Sequence, residues 1–392
     1  MNGISTKNML FAVGGVLLAA ATSGVAMAQI ASTPPQPLKF TVDCNHGQTV
    51  SATLSRVVLI PIPVPVTIVV QGTCREFVTI TRNDVTLQGD PIVGGGITAP
   101  DSTGDAVTIT GARATLIDLT VTGGSNGISA LAASTAALQN VTVTSAARTG
   151  IFVRTSDLSM DHCMVTGAAS VGLRLGRNSS ARVVNGSQLR ANGDAGIYAE
   201  NHATLVTDSS SITDNGSHGV QLETAAQASI NGGTIANNGR DPSKGGTGVS
   251  LNQAHASLGG GINISGNREE GVRVTISAAG IYNATLTGNG NAGVTGYLGA
   301  VLDIINTRVA NNPVGIACQA NCTAQFAGVT AQNNTFEGIA LSLGSKLILS
   351  EPNTVSTGNG GFGLNCRDKL SSVDGVPTLF IGTVAPTCNG FF

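Results

Sequence analysis

At 392 residues, with 11% charged and 3% aromatic residues and a formal net charge of -2, the chain lacks the basic excess that nucleic-acid binding requires. Its 52 glycines, absent Trp and abundant Thr, Ser, Asn and Ala come without low-complexity tracts. β-Branched residues alternating with small polar ones favour strands over helices. The length suits one large elongated domain or two ordinary ones.

Residues 1–28 read as a secretory signal. Lys7 precedes an apolar run from about Met9 to Ala21, and Ala26-Met27-Ala28 is a small-residue cleavage site ahead of Gln29. The run is shorter than the roughly 20 apolar residues of a membrane span. Cleavage therefore leaves a mature chain without a transmembrane segment, in a periplasm or outside the cell. Seven cysteines in such a compartment suggest disulfides. Cys44 and Cys74 bracket the first part of the fold, Cys318 and Cys322 lie four apart, and Cys366 and Cys388 bracket the last part. These three pairs leave Cys163 unpaired. No Cys/His cluster has zinc spacing, and no metal or other cofactor is expected.

Residues 29–81 are expected to form an N-terminal segment and cap. In Leu59-Ile-Pro-Ile-Pro-Val-Pro-Val66 the alternate prolines would remove every donor along one edge of a strand, blunting an exposed first coil.

From residue 82 to 366 a repeat governs the chain. A glycine followed by an aliphatic residue recurs at Gly127, Gly150, Gly172, Gly196, Gly219, Gly248, Gly271, Gly293, Gly315, Gly338 and Gly363, with a period of about 23. Four residues before these glycines stand Asn192, Asn215, Asn267, Asn289, Asn311, Asn334 and Asn359. Asn238 joins them once the six extra residues near Arg240 to Thr247 are removed. Such a period means stacked units, each burying its apolar edge only against its neighbours. Apolar positions go by twos, as in Ile197 and Ala199 or Val220 and Leu222, so each unit is a coil of short parallel strands. The asparagines would stack into a hydrogen-bonded ladder, they and the glycines beside them tolerating a left-handed turn. Residues 367–392 would close the far end.

The coil period, aliphatic column and asparagine ladder resemble those of the right-handed parallel β-helix proteins of the pectin-lyase-like superfamily. The resemblance implies an all-β, single-stranded right-handed solenoid and a polysaccharide or cell-surface glycan as partner, and the cysteine pairs would staple its end caps.

Function on such a fold must sit on outward residues or loops. Counting from each glycine, positions two and four point out. They bring Phe152, Arg154, Arg174, Tyr198, Glu200, Gln221 and Glu223 together on one face, with Asn252, Arg273, Thr275 and Tyr297 beyond. Glu200 and Glu223 fall in adjacent coils about 4.8 Å apart, close enough for repulsion to set an acid beside a base. That spacing suits a retaining glycosidase better than an inverting one. Arg154 and Arg174 would hold an acidic sugar, with Tyr198 or Phe152 against its ring. The loop from Asn237 to Thr247, carrying Arg240, Asp241 and Lys244, is the other candidate contact.

Two short motifs are similar to segments of family enzymes. Asp161-His-Cys163 resembles a pectate lyase segment in which the aspartate helps bind calcium. Asn192-Gly-Asp194 with Ser217-His-Gly219 resembles part of the polygalacturonase set, but there is no Asp-Asp pair and the only Arg-x-Lys, Arg367-Asp-Lys369, lies in the terminal cap. His218 occupies a freely varying column and reads as a surface loop residue. The expectation is an exported β-helix that binds polysaccharide on its outer face and, if the two glutamates act, cleaves it as a lyase or hydrolase. The alternative is a non-catalytic surface or envelope protein. The oligomeric state is not legible.

Overall fold

The computed structural model describes residues 36–60 and 64–388. The expected secretory signal lies outside the described residues, as do Pro61 to Pro63 of the proline segment.

Each coil contributes three short strands. Leu173–Gly176, Ser180–Val184 and Gln188–Arg190 make one coil, and Ile197–Ala199 opens the next. Every pairing between coils is parallel and in register: Leu173 lies beside Ile197, then Val220, Val249 and Val272. The strand that follows each repeating glycine belongs to a 13-stranded sheet running from Val78–Ile80 to Leu364–Cys366, here the first sheet. The second and third strands of each coil make two further stacks, joined through the long strand Val66–Arg75.

The core fills the space between the sheets. Ile128, Ile151, Leu173, Ile197, Val220, Val249, Val272, Val294, Ile316, Ile339 and Leu364 form one continuous inner column without solvent exposure. Fully burying an aliphatic side chain stabilises by about 1.5–3 kcal/mol, so a single coil is marginal and the stack is not.

The asparagine ladder is buried. Asn192, Asn215, Asn238, Asn267, Asn289, Asn312 and Asn334 each donate from Nδ2 to Oδ1 of the next, the last to the half-buried Asn359, at 2.9–3.4 Å. Asn312, not the expected Asn311, takes the sixth place, because that coil has one residue fewer between asparagine and glycine. Asn311 is instead the left-handed turn residue, at φ 57°. The same holds along the column: Ala191, Asp214, Asn237, Gly266, Gly288, Asn333 and Gly358, each just before a ladder asparagine, carry positive φ. The ladder asparagines therefore do not supply the left-handed backbone, contrary to expectation. Nor do the repeating glycines: a Cβ at Gly196 would stand 2.7 Å from Asn215 Nδ2 and 2.5 Å from Ile212 Cγ2. Lack of room for a side chain, not a turn, demands glycine there.

A helix, Val50–Val58, covers the first coil with Val50, Leu54 and Val57 buried. The Glu76 carboxylate accepts from the amides of Val50 at 2.7 Å and Ser51 at 3.0 Å, satisfying donors at the helix N-terminus. Of the segment expected as an edge strand, the described residues Leu59, Ile60, Val64 and Pro65 lie in no strand. Leu59 is the C-cap of the helix and Pro65 precedes the strand that starts at Val66.

Disulfides join Cys44 to Cys74, Cys318 to Cys322 and Cys366 to Cys388, and Cys163 is a buried free thiol. The Cys318–Cys322 bridge lies in the core, beside Gly296, where a Cβ would stand 2.6 Å from Cys322 Sγ.

Candidate functional site

The outer face of the first sheet carries the charged and aromatic residues. Register aligns Phe152 with Arg174, Tyr198 and Gln221, coil after coil. One position outward of Ala199 and Leu222, which pair, stand Glu200 and Glu223.

Their contacts differ from two bare carboxylates in repulsion. Arg174 reaches Glu200 Oε1 through Nη2 at 2.7 Å and Nε at 3.3 Å, and its guanidinium lies 5.3 Å over the Tyr198 ring. The Tyr198 hydroxyl lies 2.8 Å from Glu223 Oε2 and 3.2 Å from Glu200 Oε2. Gln221 Nε2 donates to Glu223 Oε1 at 2.7 Å. Burial, then the Glu223 and Glu200 carboxylates, push the Tyr198 phenol well above its ordinary range. It stays a proton donor, and its one proton serves one carboxylate at a time.

Beside this network is an open cavity of about 320 Å³ lined by Phe152, Arg154, Arg174, Gly176, Arg177, Glu200 and Asn201. Three arginines and one glutamate thus line it, and Arg174 is paired with Glu200. Arg154 and Arg177 are exposed and make no ion pair among the described residues. Arg177 and Asn201, which the strand pattern does not single out, lie in left-handed turns at φ 48° and 55° that end the strands of this sheet. Gly176 leaves the floor open where its neighbours carry side chains.

A family model described as "Right handed beta helix region" matches residues 105–260. The fold is similar to the A-module of Azotobacter vinelandii mannuronan C-5 epimerase AlgE6, at TM-score 0.55 and 17% identity over 86% of this chain and 94% of that one. The AlgE4 A-module of the same organism gives 0.51 and 16%, over 83% and 94%. The chain folds as a right-handed parallel β-helix. The catalytic domain of a GH87 α-1,3-glucanase, solved with tetrasaccharides, has TM-score 0.50 and 15% identity to this β-helix, over 90% and 69%. No curated protein matches it in sequence. At these identities the likeness to solved structures is one of fold.

The Arg240–Thr247 loop of the β-helix does not join the Arg174 cavity. It folds back along the asparagine turns: Lys244 Nζ donates to Gly193 O at 2.7 Å, and Arg240 Nη1 to Asp214 O at 3.3 Å. Arg268 holds it from the other side, donating to Pro242 O at 3.0 Å and to Lys244 O. Arg240 instead borders a separate hollow of about 370 Å³ with Asn192, Gly193, Gly216 and Asp241. The insertion precedes its strand, whereas the cavity opens where the strands end.

His218 lies under this loop rather than at the surface. Its Nδ1 accepts from the Thr247 amide at 3.1 Å, and Gly245 packs against the ring so closely that a Cβ would stand 2.3 Å from Cε1. Burial, then Arg273, lower its pKa. Next to it Arg273 Nη2 binds Glu270 at 2.6 Å and Glu269 at 2.9 Å, with Asn291 Nδ2 donating to Glu270 Oε1 at 2.8 Å. This group locks the loop to the sheet.

Asp161 sits on the second sheet with His162 Nδ1 at 2.5 Å and Asn185 Nδ2 at 3.0 Å. Among the described residues no three His, Cys, Asp or Glu side chains are grouped to hold a metal ion. Asn192 belongs to the ladder, and Asp194 accepts from Ser217 Oγ at 2.5 Å.

Proposed function

We propose that this β-helix is an exported protein that binds an acidic polysaccharide on the outer face of its first sheet. The observation that carries the reading is the open cavity lined by Arg154, Arg174 and Arg177 together with Phe152 and Glu200. Guanidinium forks pair with sugar carboxylates in two-point hydrogen bonds, and an aromatic ring offers a flat apolar surface to a pyranose. The fold is shared with proteins titled mannuronan C-5 epimerase and α-1,3-glucanase, which act on polysaccharides. The leader-like first 28 residues and the disulfides support export.

Binding fits the geometry better than hydrolysis by the Glu200 and Glu223 pair. Arg174 engages Glu200, Tyr198 and Gln221 engage Glu223, and Glu223 does not line the cavity. In this reading Glu200 fixes Arg174, Tyr198 fixes both carboxylates, and Arg154 and Arg177 meet the sugar.

The test is calorimetry of the mature chain against polymannuronate, polygalacturonate and a neutral glucan, repeated with Arg154→Ala/Arg177→Ala. The expected result is salt-sensitive binding of a polyuronate that the variant weakens at least tenfold. Equal binding of the neutral glucan would remove the acidic specificity, and no glycan binding would overturn the proposal. Reducing-end and unsaturated-product assays with Glu223→Gln test catalysis separately.

A further inference from the structure

Phe336 and Phe362 are the feature of the first sheet that neither the core nor the Arg174 cavity explains. Phe326 and Phe380 are buried, whereas Phe336 is 57% exposed and Phe362 42% exposed. Both lie in the turn between a ladder asparagine and its glycine, on consecutive coils: Gly361 N donates to Phe336 O at 2.8 Å and Gly338 N to Phe362 O at 3.1 Å. In other coils the position of Phe336 holds polar residues such as Arg148, Ser170, Asp194 and Glu269. Packing therefore does not require an aromatic ring there. Exposing two neighbouring rings opposes folding and marks a contact surface.

Polar groups border the rings. Glu337, between Phe336 and the glycine, accepts from Arg367 Nη2 at 2.9 Å, Arg367 Nε at 3.3 Å and Asn365 Nδ2 at 2.9 Å. Arg367 remains 42% exposed while the carboxylate it holds is 15% exposed. An aromatic surface next to a fixed carboxylate, amide and guanidinium offers an apolar face and hydroxyl partners together, which is the chemistry of a pyranose ring.

Phe336, Glu337 and Phe362 precede the strands of the first sheet, whereas Asn365 stands on the same outer face as Arg174. Register carries Arg174 through Tyr198, Gln221, Ser250, Arg273, Thr295, Ala317 and Ala340 to Asn365. Those eight strand spacings amount to about 38 Å.

We infer that Phe336 and Phe362, with Glu337, Asn365 and Arg367, form a second glycan contact, so that one long polysaccharide chain engages both ends of the first sheet. The inference rests on the proposed glycan site at Arg174. Between the two patches Arg273 and Tyr297 also stand on this face, half-buried like Ser250, while Thr295, Ala317 and Ala340 are buried. Two contacts on one chain multiply affinity through effective concentration, by about 10²- to 10⁴-fold over either alone when the chain spans both.

The experiment compares polymannuronate with its trisaccharide, which is too short to span the two patches, on the wild type, on Phe336→Ala/Phe362→Ala and on Arg154→Ala/Arg177→Ala. The wild type is expected to bind polymer at least tenfold more tightly per binding site than the trisaccharide. The phenylalanine variant should lose that advantage, keep trisaccharide binding and melt at the wild-type temperature. A phenylalanine variant that keeps the polymer advantage overturns the inference and leaves the Arg174 site standing. If the arginine variant leaves trisaccharide binding unchanged, the Arg174 site is wrong instead. A wild type that binds neither ligand overturns both.

Discussion

The Tyr198 hydroxyl lies 2.8 Å from Oε2 of Glu223, a carboxylate contributed by the next coil. The same hydroxyl lies 3.2 Å from Glu200, so a single phenolic proton sits between two acidic side chains that stacking forces together.

Tyr198→Phe removes that proton and leaves the carboxylates facing each other across an apolar ring. The expected loss is about 1–2 kcal/mol at pH 7, read from urea unfolding. The phenol is raised in the folded state, so its contribution is complete below its unfolded pKa near 10 and is lost as pH rises through the folded value. The wild type should therefore lose stability above about pH 10, and Tyr198→Phe should show a shallower loss. Some slope remains, because Tyr282 and Tyr297 are raised as well.

The one-residue offset in the ladder is directly testable. Asn312 joins Asn289 to Asn334 in the buried stack, whereas Asn311 is exposed and left-handed. Asn312→Ala strands buried partners on both sides and should cost about 3 kcal/mol or more. Asn311→Ala should cost about 1 kcal/mol, the penalty of placing alanine at positive φ. Comparable costs in chemical denaturation would mean that the ladder runs through the other residue.

Glycines in two roles should respond differently. Gly196→Ala drives a methyl into Asn215 and Ile212 and should cost about 1–3 kcal/mol or more by overpacking. Gly186, at φ 74°, has nothing within 4 Å of its missing Cβ. Gly186→Ala should cost about 1 kcal/mol from backbone strain alone. Melting temperatures of the two variants provide the comparison.

His218 latches the Arg240–Thr247 loop as a neutral acceptor, faced by Arg273, Glu269, Asp194 and Glu270. A histidine whose pKa is lowered by folding contributes its full stability above the unfolded value near 6.5, and loses it as pH falls through the folded value. Protonation would turn Nδ1 into a donor against the Thr247 amide. Amide exchange in the loop should therefore rise more between pH 7 and pH 5, after correction for intrinsic rates, in the wild type than in His218→Gln. Equal responses would remove His218 from the latch.

What the sequence by itself determined follows from translation. In a stack of parallel coils every repeat position meets its own copy, so a period of about 23 and an aliphatic column specify sheets, register and core without knowledge of any other contact. Tyr198, Glu200 and Glu223 fall on one outer face for the same reason. Tertiary structure decided whatever departs from that translation. One missing residue moved the ladder from Asn311 to Asn312, and turns aimed Arg177 and Asn201 into the cavity where strand alternation has no say. The inserted loop folded away with Arg240 and Lys244 because Arg268 and His218, each from a different coil, hold it. The partners of Glu200 and Glu223 were also settled there. Repetition fixes where a side chain starts, but its reach and its hydrogen bonds depend on unlike neighbours in adjacent coils.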